Sequence, residues 1–156
     1  MRLAICAVGR MRSGPERTLF DDYTKRFNRT GRALGLGPLA ECEIEDRKGG
    51  GMEAEAALLM RAAPAGALII TMDERGRQMS SPDLATLLAR WRDEGRQDLA
   101  LMIGGADGLA PSLRNRADHA ISFGTMVWPH MLVRVMLAEQ LYRAASILAG
   151  SPYHRA

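Results

Sequence analysis

Residues 124–144 read GTMVWPHMLVRVMLAEQLYRA, a small apolar turn followed by a helix that is apolar on nearly every side. Such a helix must be buried on nearly every side. Because one small sheet covers only one face of a helix, we expect a second copy of the chain to cover the other face in a symmetric homodimer. The helix also carries Glu139 and Arg143, whose i,i+4 spacing allows an ion pair.

The polar residues of this helix, and the turn before it, each allow more than one interpretation. Arg134 and Arg143 are either structural partners of Glu139 or catalytic groups, and the helix pattern does not separate the two. The turn at residues 123–128 is a plug of the core, a protein interface or the wall of a pocket for a flat apolar ring. Pro129 then starts the helix, because its φ is already close to the helical value.

The composition is that of one folded domain. The chain has 156 residues, of which 47% are hydrophobic and 25% are charged, so we expect a single domain over residues 1–156 with one core. Its apolar runs are too short to cross a membrane and its first residues do not form a signal peptide, which predicts a cytoplasmic protein. Cys6 and Cys42 are predicted to be buried free thiols, since two cysteines make neither a disulfide framework nor a metal cluster.

The charge balance is mildly basic. Lys and Arg number 21 against 18 for Asp and Glu, which gives a net charge of +3, and only Lys25 and Lys48 are lysines. The planar guanidinium group of arginine suits phosphate oxygens. The balance is therefore compatible with RNA contact, although arginine-rich usage also follows from a GC-rich genome.

Elsewhere, short apolar runs alternate with helical periodicities. The alternation predicts an α/β fold, with a mostly parallel sheet flanked by helices. Ser81 is the expected N-cap of the third helix, with Pro82 at its first position. Strands are predicted at residues 2–8, 39–44, 67–72, 99–103 and 120–123, and helices at residues 15–28, 52–62, 81–94, 112–117 and 129–148.

Three strand exits are the candidate ligand-binding segments, because ligands of such a sheet bind beyond the carboxyl ends of its strands. These exits are residues 71–77, 103–111 and 122–130. In the second exit, Gly104 and Gly105 allow a ligand to approach the backbone closely, although a plain tight turn explains them equally well. Neither a Walker loop nor a Rossmann fingerprint is present. The missing fingerprint argues against an oxidoreductase with a dinucleotide cofactor.

Three segments form a highly specific combination: LMIGGADGLAP at residues 101–111, FGTMVWPHMLVRVMLAEQLYRA at residues 123–144, and the terminal PYHR. They resemble the RlmH family, formerly YbeA, of SPOUT methyltransferases, and the likeness covers the whole chain. The resemblance implies a SPOUT-type fold with a C-terminal trefoil knot, a homodimer, and S-adenosylmethionine as cofactor. It further implies methylation of N3 of a pseudouridine in 23S ribosomal RNA, on the assembled ribosome. A non-catalytic RNA-binding or ribosome-binding dimer on the same fold remains the alternative.

The resemblance also assigns site residues position by position. Tyr153, His154 and Arg155 match a tail that reaches the active site, and Glu139 and Arg143 match polar helix residues near it. Arg155 is expected to stabilise the deprotonated base, His154 is the candidate to accept its proton, and Tyr153 is expected to position the tail. No metal is expected. The matched cofactor-binding residues are Met72, Gly104, Gly105, Phe123, Gly124, Thr125, Met126, Val127 and Trp128.

Departures from the family pattern are few, and they remove no functional group that the assignment needs. Arg10 stands where lysine is frequent, and Ala106-Asp107 replaces a common Pro-Glu.

Basic loop residues are the expected contacts to RNA phosphates. Arg10, Arg12, Arg47 and Lys48 lie in loops near predicted strand ends. With a net charge of only +3 and no added RNA-binding domain, we expect weak binding to naked RNA and poor activity on fragments of ribosomal RNA.

Overall fold

Five strands form one sheet in the order β2-β1-β4-β3-β5, and every strand pairing in it is parallel. The computed structural model describes residues 1–155. It confirms the predicted parallel sheet flanked by helices. The elements are β1 (Arg2–Val8), α1 (Pro15–Gly31), β2 (Leu39–Ile44), α2 (Gly51–Ala62), β3 (Leu68–Arg77), α3 (Ser81–Asp93), β4 (Asp98–Ile103), α4 (Pro111–Arg116), β5 (His119–Ile121) and α5 (His130–Leu148), with a short 3₁₀ turn, Arg32–Leu34, after α1.

The strands are apolar on both faces because each face is covered by helices. In β1, Leu3 and Ile5 belong to the core cluster shared with α1, α3 and α5. The alternate residues Ala4 and Cys6 belong to a second cluster shared with α2 and α4. The sheet therefore has three helices on one face and two on the other, and its carboxyl edge is left for the loops.

Helix α5 is buried mainly by its own chain. It packs against both α1 and α3, so the expectation that its own chain covers only one face is wrong. The sequence shows which helices are apolar, but it does not show which of them become neighbours. Of the α5 residues, Leu132 stands out as an exposed large apolar side chain, 37% exposed. No helix within residues 1–155 is long and apolar enough to span a membrane.

Several predicted boundaries need correction. The N-cap of α3 is Ser80 and not Ser81, because the Ser80 side chain accepts from the Asp83 amide while the Asp83 carboxylate accepts from the Ser80 amide. This reciprocal capping box satisfies two otherwise orphaned donors. Strand β3 continues beyond residue 72 to Arg77, because a bulge lets both Met72 and Arg77 pair with Ile121.

The last strand and the last helix are also shifted by short distances. β5 comprises residues 119–121 and not 120–123. Pro129 is the N-cap of α5 and His130 is its first residue. The trefoil knot stays a prediction of the family resemblance.

The two cysteines are free thiols on neighbouring strands, as predicted. Cys6 and Cys42 are register partners between β1 and β2. Cys6 is buried, and its burial together with the neighbouring Cys42 raises the pKa of the Cys6 thiol to about 12. Cys42 is only half-buried, since β2 is an edge strand.

Candidate functional site

A cavity of about 460 Å³ opens at the carboxyl edge of the sheet, between the exits of β3, β4 and β5. This is where the topology of an open parallel sheet places ligands. The structure therefore brings together the three strand exits that the sequence singled out. Its lining includes Met72 to Arg75 from the first exit, Gly105 to Leu109 from the second, and Phe123, Gly124, Met126, Val127 and Trp128 from the third.

A glycine hairpin forms one side of the cavity. Gly105 and Gly108 make an isolated antiparallel bridge, and the Gly108 amide donates to the Gly105 carbonyl at 3.0 Å. A Cβ on Gly104 would lie 2.6 Å from the Gly108 carbonyl oxygen, which no side chain tolerates. Gly104 is buried and does not line the cavity itself. It shapes the cavity by allowing the hairpin to fold back on the strand end.

The third exit forms an apolar wall. Met126, Val127 and Trp128 are 73%, 87% and 40% exposed. Exposure of this size excludes a core plug for these three residues and favours the pocket wall or an interface, whereas Phe123 is half-buried and packs against the core. Gly124 turns the chain with φ of 110° and its amide donates to the Ser122 Oγ at 3.0 Å. Thr125 is exposed as well, but unlike its neighbours it lies outside the cavity lining.

A charged group in the lining of the cavity was not predicted from the sequence. The Asp73 carboxylate is 8% exposed and lies 3.6 Å from Arg75 Nη1 and 3.8 Å from Arg114 Nε. The segment TMDERGR was recognised as a strand exit, so the position of Asp73 was available from the sequence. Arg114 comes from α4, and only the folded chain shows that it reaches the same carboxylate.

Four of the five predicted catalytic residues gather along the second half of α5 and the tail that follows it: Glu139, Arg143, Tyr153 and His154. Together with Gln140 they form a cluster that we call the tail network. Glu139 Oε1 accepts from Arg143 Nε at 3.0 Å and from Tyr153 Oη at 2.9 Å. Arg143 Nη1 lies 3.3 Å from His154 Nδ1. The predicted ion pair between Glu139 and Arg143 is thereby confirmed, and Arg143 is a structural partner of Glu139.

Aromatic stacking fixes the tail to the helices. The ring centroids of Tyr142 and Tyr153 are 4.6 Å apart, and the Arg143 guanidinium lies 4.8 Å from the Tyr153 ring. Burial, and next the hydrogen bond to Glu139, raise the pKa of the Tyr153 hydroxyl above its ordinary value. Tyr153 is therefore a neutral hydrogen-bond donor at physiological pH. Arg155, the last described residue, is exposed.

The tail network and the cavity are separate within one chain. Within residues 1–155, the cavity lining contains none of the five predicted catalytic residues. Val133, near the start of α5, lines the cavity, and Glu139 follows six residues later, a rise of roughly 9 Å along the helix. The predicted catalytic residues of one chain therefore do not line the cavity of that chain.

Arg134 has partners that the sequence did not reveal. It is fully buried, and its Nη1 lies 3.1 Å from Glu41 and 2.7 Å from Glu43. Its Nη2 donates to the Gly9 carbonyl at 3.1 Å. The interpretation of Arg134 as a partner of Glu139 is therefore wrong. The two glutamates lie on β2, far from Arg134 in sequence, and alternation on an edge strand gave no signal for a buried partner.

This part-buried ion pair cluster fixes the loop after β1. The Met11 amide donates to Glu43 at 2.6 Å. Burial raises the pKa of the Glu43 carboxyl, but the hydrogen bonds from Met11 and Arg134 outweigh it and hold that pKa below its ordinary value. The loop so fixed carries Arg10 and Arg12, which are exposed beside the carboxyl edge of the sheet.

The second predicted phosphate-contacting loop lies at the same edge. Arg47 and Lys48 are exposed between β2 and α2, and Arg47 lies 3.8 Å from Glu45 in an exposed ion pair. Exposed pairs of this kind contribute little stability, so the guanidinium stays available to a phosphate.

The sequence of the chain is similar to those of known methyltransferases. A family profile described as "Predicted SPOUT methyltransferase" matches residues 1–154. The chain is 72% identical over 155 residues to the ribosomal RNA large subunit methyltransferase H of Ruegeria pomeroyi, with 99% of each chain covered. It is likewise 72% identical over 155 residues to the protein of the same name from Cereibacter sphaeroides, again with 99% of each covered.

A solved structure shares the fold. The probable methylase family protein of Haemophilus influenzae superposes with a TM-score of 0.52 at 13% identity, covering 99% of this chain and 70% of that one.

Proposed function

The chain belongs to the SPOUT methyltransferase family, and on that premise we propose that it transfers the methyl group of S-adenosylmethionine to N3 of a pseudouridine in 23S ribosomal RNA. Two relatives that are 72% identical over nearly their whole length are named ribosomal RNA large subunit methyltransferase H. That name favours an enzyme over a non-catalytic RNA-binding dimer. The structural observation that carries the proposal is the cavity formed by the three strand exits and closed by the glycine hairpin.

The residues of the cavity fit S-adenosylmethionine. A volume of about 460 Å³ lies within the range of small-molecule sites. Met72, Phe123 and Trp128 supply apolar surface for the adenine ring, and the glycine hairpin from Gly105 to Gly108 supplies backbone groups to the lining. When bound, the cofactor supplies a methyl group activated by a sulfonium charge. Gly104, Gly124 and Thr125 act through the backbone shape that they give to the two loops.

The chain contributes positioning and exclusion of water. The apolar wall at Met126, Val127 and Trp128 removes solvent from the reacting centre, which favours a step in which positive charge is dispersed. Holding the two reactants in line supplies a large part of the rate. Loss of the N3 proton leaves negative charge on the flanking carbonyl oxygens of the base. Arg155 and the tail network supply the cation and the donors that stabilise this charge.

A homodimer explains why the tail network lies away from the cavity of its own chain. Met126, Val127 and Trp128 are exposed apolar residues of the cavity lining, and Leu132 is exposed on α5. Exposed apolar surface of this kind marks interaction sites. In a two-fold symmetric pair, the tail of one protomer reaches the cavity of the other, so each active site uses both chains.

The RNA target is engaged through the carboxyl edge of the sheet. Arg10 and Arg12 on one loop, and Arg47 and Lys48 on another, flank this edge. Because the net charge is only +3, electrostatic attraction alone is weak and sensitive to salt. Shape complementarity to the assembled ribosome therefore supplies the binding affinity that electrostatic attraction does not. We expect the protein to act in the cytoplasm on ribosomes.

Mapping of ribosomal RNA by mass spectrometry tests the proposal. We expect a strain that lacks the protein to lose one methyl group on one pseudouridine of 23S rRNA, and the wild-type gene to restore it. An unchanged modification map contradicts the proposal.

Calorimetric titration with S-adenosylmethionine separates the enzyme from a pure binding protein. The enzyme binds the cofactor, whereas a non-catalytic dimer has no need of it. Ribosomes and isolated rRNA stem-loops, compared as substrates, test the preference for the assembled particle, and efficient methylation of the stem-loop would contradict it.

A further inference from the structure

The hydrogen bonds of the tail network have a fixed direction, which begins on α3. Ser81 Oγ donates to Gln140 Oε1 at 2.6 Å, and this contact orients the Gln140 amide. Gln140 Nε2 consequently faces Glu139 Oε2 and donates to it at 2.9 Å. The direction of each bond follows from the chemistry of the groups, since the amide nitrogen only donates and the amide oxygen only accepts.

Glu139 is the point on which the donors converge. Its carboxylate accepts from Gln140, from Tyr153 and from two nitrogens of Arg143. An ionised carboxylate only accepts hydrogen bonds, so each of these groups donates to it, three of them to Oε1 and one to Oε2. Arg143 is thereby held with Nε and Nη2 toward Glu139, which leaves Nη1 directed at His154 Nδ1 at 3.3 Å.

This arrangement determines which ring nitrogen of His154 carries the hydrogen. Arginine has no acceptor atom and stays protonated in proteins. A hydrogen on Nδ1 would place two donors against each other across 3.3 Å. In the neutral ring, Nδ1 must therefore be the acceptor, and the hydrogen lies on Nε2. No group within residues 1–155 accepts a hydrogen bond from Nε2, and the residue is partly exposed.

We propose that Arg143 fixes His154 as the Nε2–H tautomer, so that His154 donates a hydrogen bond to a carbonyl oxygen of the target base and does not take its proton. The N3 proton of the base passes to solvent water. The charge left on the base is shared by the two carbonyl oxygens that flank N3, and Nε2–H stabilises one of them. This role rests on the proposed function, and it replaces the prediction from the sequence that His154 is the candidate to accept the N3 proton. Arg143 is a positioning residue, because it acts through His154.

Nitrogen NMR of the intact homodimer tests the tautomer without any substrate. The chain has three histidines, and the signals of His154 are assigned by their loss in His154→Gln. We expect Nδ1 without hydrogen and Nε2 with hydrogen in the wild type. In Arg143→Met, which keeps the length of the stem but no donor, we expect a mixture of both tautomers. A hydrogen on Nδ1 in the wild type, or an unchanged tautomer in Arg143→Met, overturns the proposal.

A matched pair of variants tests the role of His154 in the reaction. His154→Gln places an amide donor near the position of Nε2, whereas His154→Glu has the same length but only accepts. We expect His154→Gln to stay within about 10-fold of the wild-type rate on ribosomes and His154→Glu to lose about 100-fold, the usual effect of removing one donor to a developing anion. An equally active or more active His154→Glu overturns the proposal, because an acceptor then serves better than a donor.

The experiments distinguish a failure of the proposed function from a failure of the proposed His154 tautomer. If the wild-type protein transfers no methyl group to ribosomes, the proposed function fails, while the NMR comparison still decides the tautomer. Circular dichroism melting curves of Arg143→Met and both His154 variants show whether each is folded at the assay temperature.

Discussion

The cavity and the tail network are built by different means. The cavity at residues 104–108 and 123–128 is shaped by the main chain. Its glycine hairpin has no room for a Cβ at Gly104, and its second loop turns with a positive φ at Gly124. The tail network is built by side chains, whose donors converge on Glu139 and leave one guanidinium nitrogen for His154. A site shaped by the backbone tolerates many substitutions of its side chains, but it does not tolerate an added Cβ where two backbone segments are in close contact, as at Gly104. A network made by side chains depends on the chemical identity of each one.

The largest expected effect is that of Gly104→Ala, which tests the backbone side of the comparison. The added Cβ meets the Gly108 carbonyl oxygen at 2.6 Å, so the hairpin must move and the cavity changes shape. We expect the affinity for S-adenosylmethionine to fall by about 100-fold or more, equivalent to about 2.7 kcal/mol, while the His154 NMR signals keep their wild-type positions.

The control is Gly49→Ala, which carries the strain of φ at 65° but has open space around its Cβ. This variant should bind the cofactor as the wild type does. A Gly104→Ala protein with undiminished cofactor affinity would show that the hairpin does not define the site.

Glu139→Gln tests the tail network, which is built by side chains. The neutral amide cannot accept all four donors, so Arg143 loses its orientation and His154 its fixed tautomer. We expect kcat on ribosomes to fall by about 100-fold, with cofactor affinity unchanged, and the free energy of unfolding to fall by about 1 to 3 kcal/mol.

Glu53→Gln is the matched control for this change. Glu53 accepts a hydrogen bond from Ser112 at 2.7 Å on the other face of the sheet, and we expect near wild-type turnover. If Glu139→Gln weakens cofactor binding and turnover equally, the two regions are not separable in the way described.

Arg12→Ala tests whether the carboxyl edge of the sheet contacts the RNA. Arg12 is exposed in the loop that follows β1 at the carboxyl edge of the sheet, so its loss should weaken ribosome binding and reduce the slope of log affinity against log salt by about one. Arg61→Ala removes the same charge from the last turn of α2, at the opposite edge of the sheet, and should change neither quantity. Equal effects of the two variants would mean that only net charge matters.

Tyr153→Phe is the smallest expected effect and depends on pH. It removes one hydrogen bond to Glu139, which should lower the free energy of unfolding by about 1 kcal/mol. The pKa of Tyr153 is raised in the folded protein, so the unfolded chain loses the phenolic proton first, near pH ~10. Stability from this group is therefore complete below pH ~10 and is lost above it.

Chemical denaturation at pH values on both sides of that point measures the effect. We expect the wild type to lose more stability than Tyr153→Phe as the solution becomes alkaline. Parallel stability curves for the two proteins would contradict the role of the Tyr153 hydroxyl.

The sequence predicted the cavity better than the network. Strand exits and paired glycines are local signals, and the topology of a parallel sheet brings them together at one edge. The i,i+4 spacing of Glu139 and Arg143 was also a local signal, and the ion pair is present. Even so, Arg114 in the cavity was missed, since it reaches Asp73 from α4.

What failed were relations between distant elements. One of the two interpretations of Arg134 paired it with Glu139 on its own helix, whereas Arg134 pairs with Glu41 and Glu43 on β2. Helix α5 was expected to need a second molecule on a whole face, but α1 and α3 supply most of that cover. Neither helical periodicity nor alternation states which surfaces meet, because both report only how apolar each face is.

The central claim is that a backbone cavity on one protomer and a side-chain network on the other form a single methyl-transfer site. Co-expression of Gly104→Ala with Glu139→Gln tests it, because each homodimer lacks one region in both of its sites. The account predicts that purified heterodimers regain methyl transfer to ribosomes, since one site then pairs an intact cavity with an intact tail network. Heterodimers as inactive as either parent would show that both regions must come from the same chain, and would contradict the account.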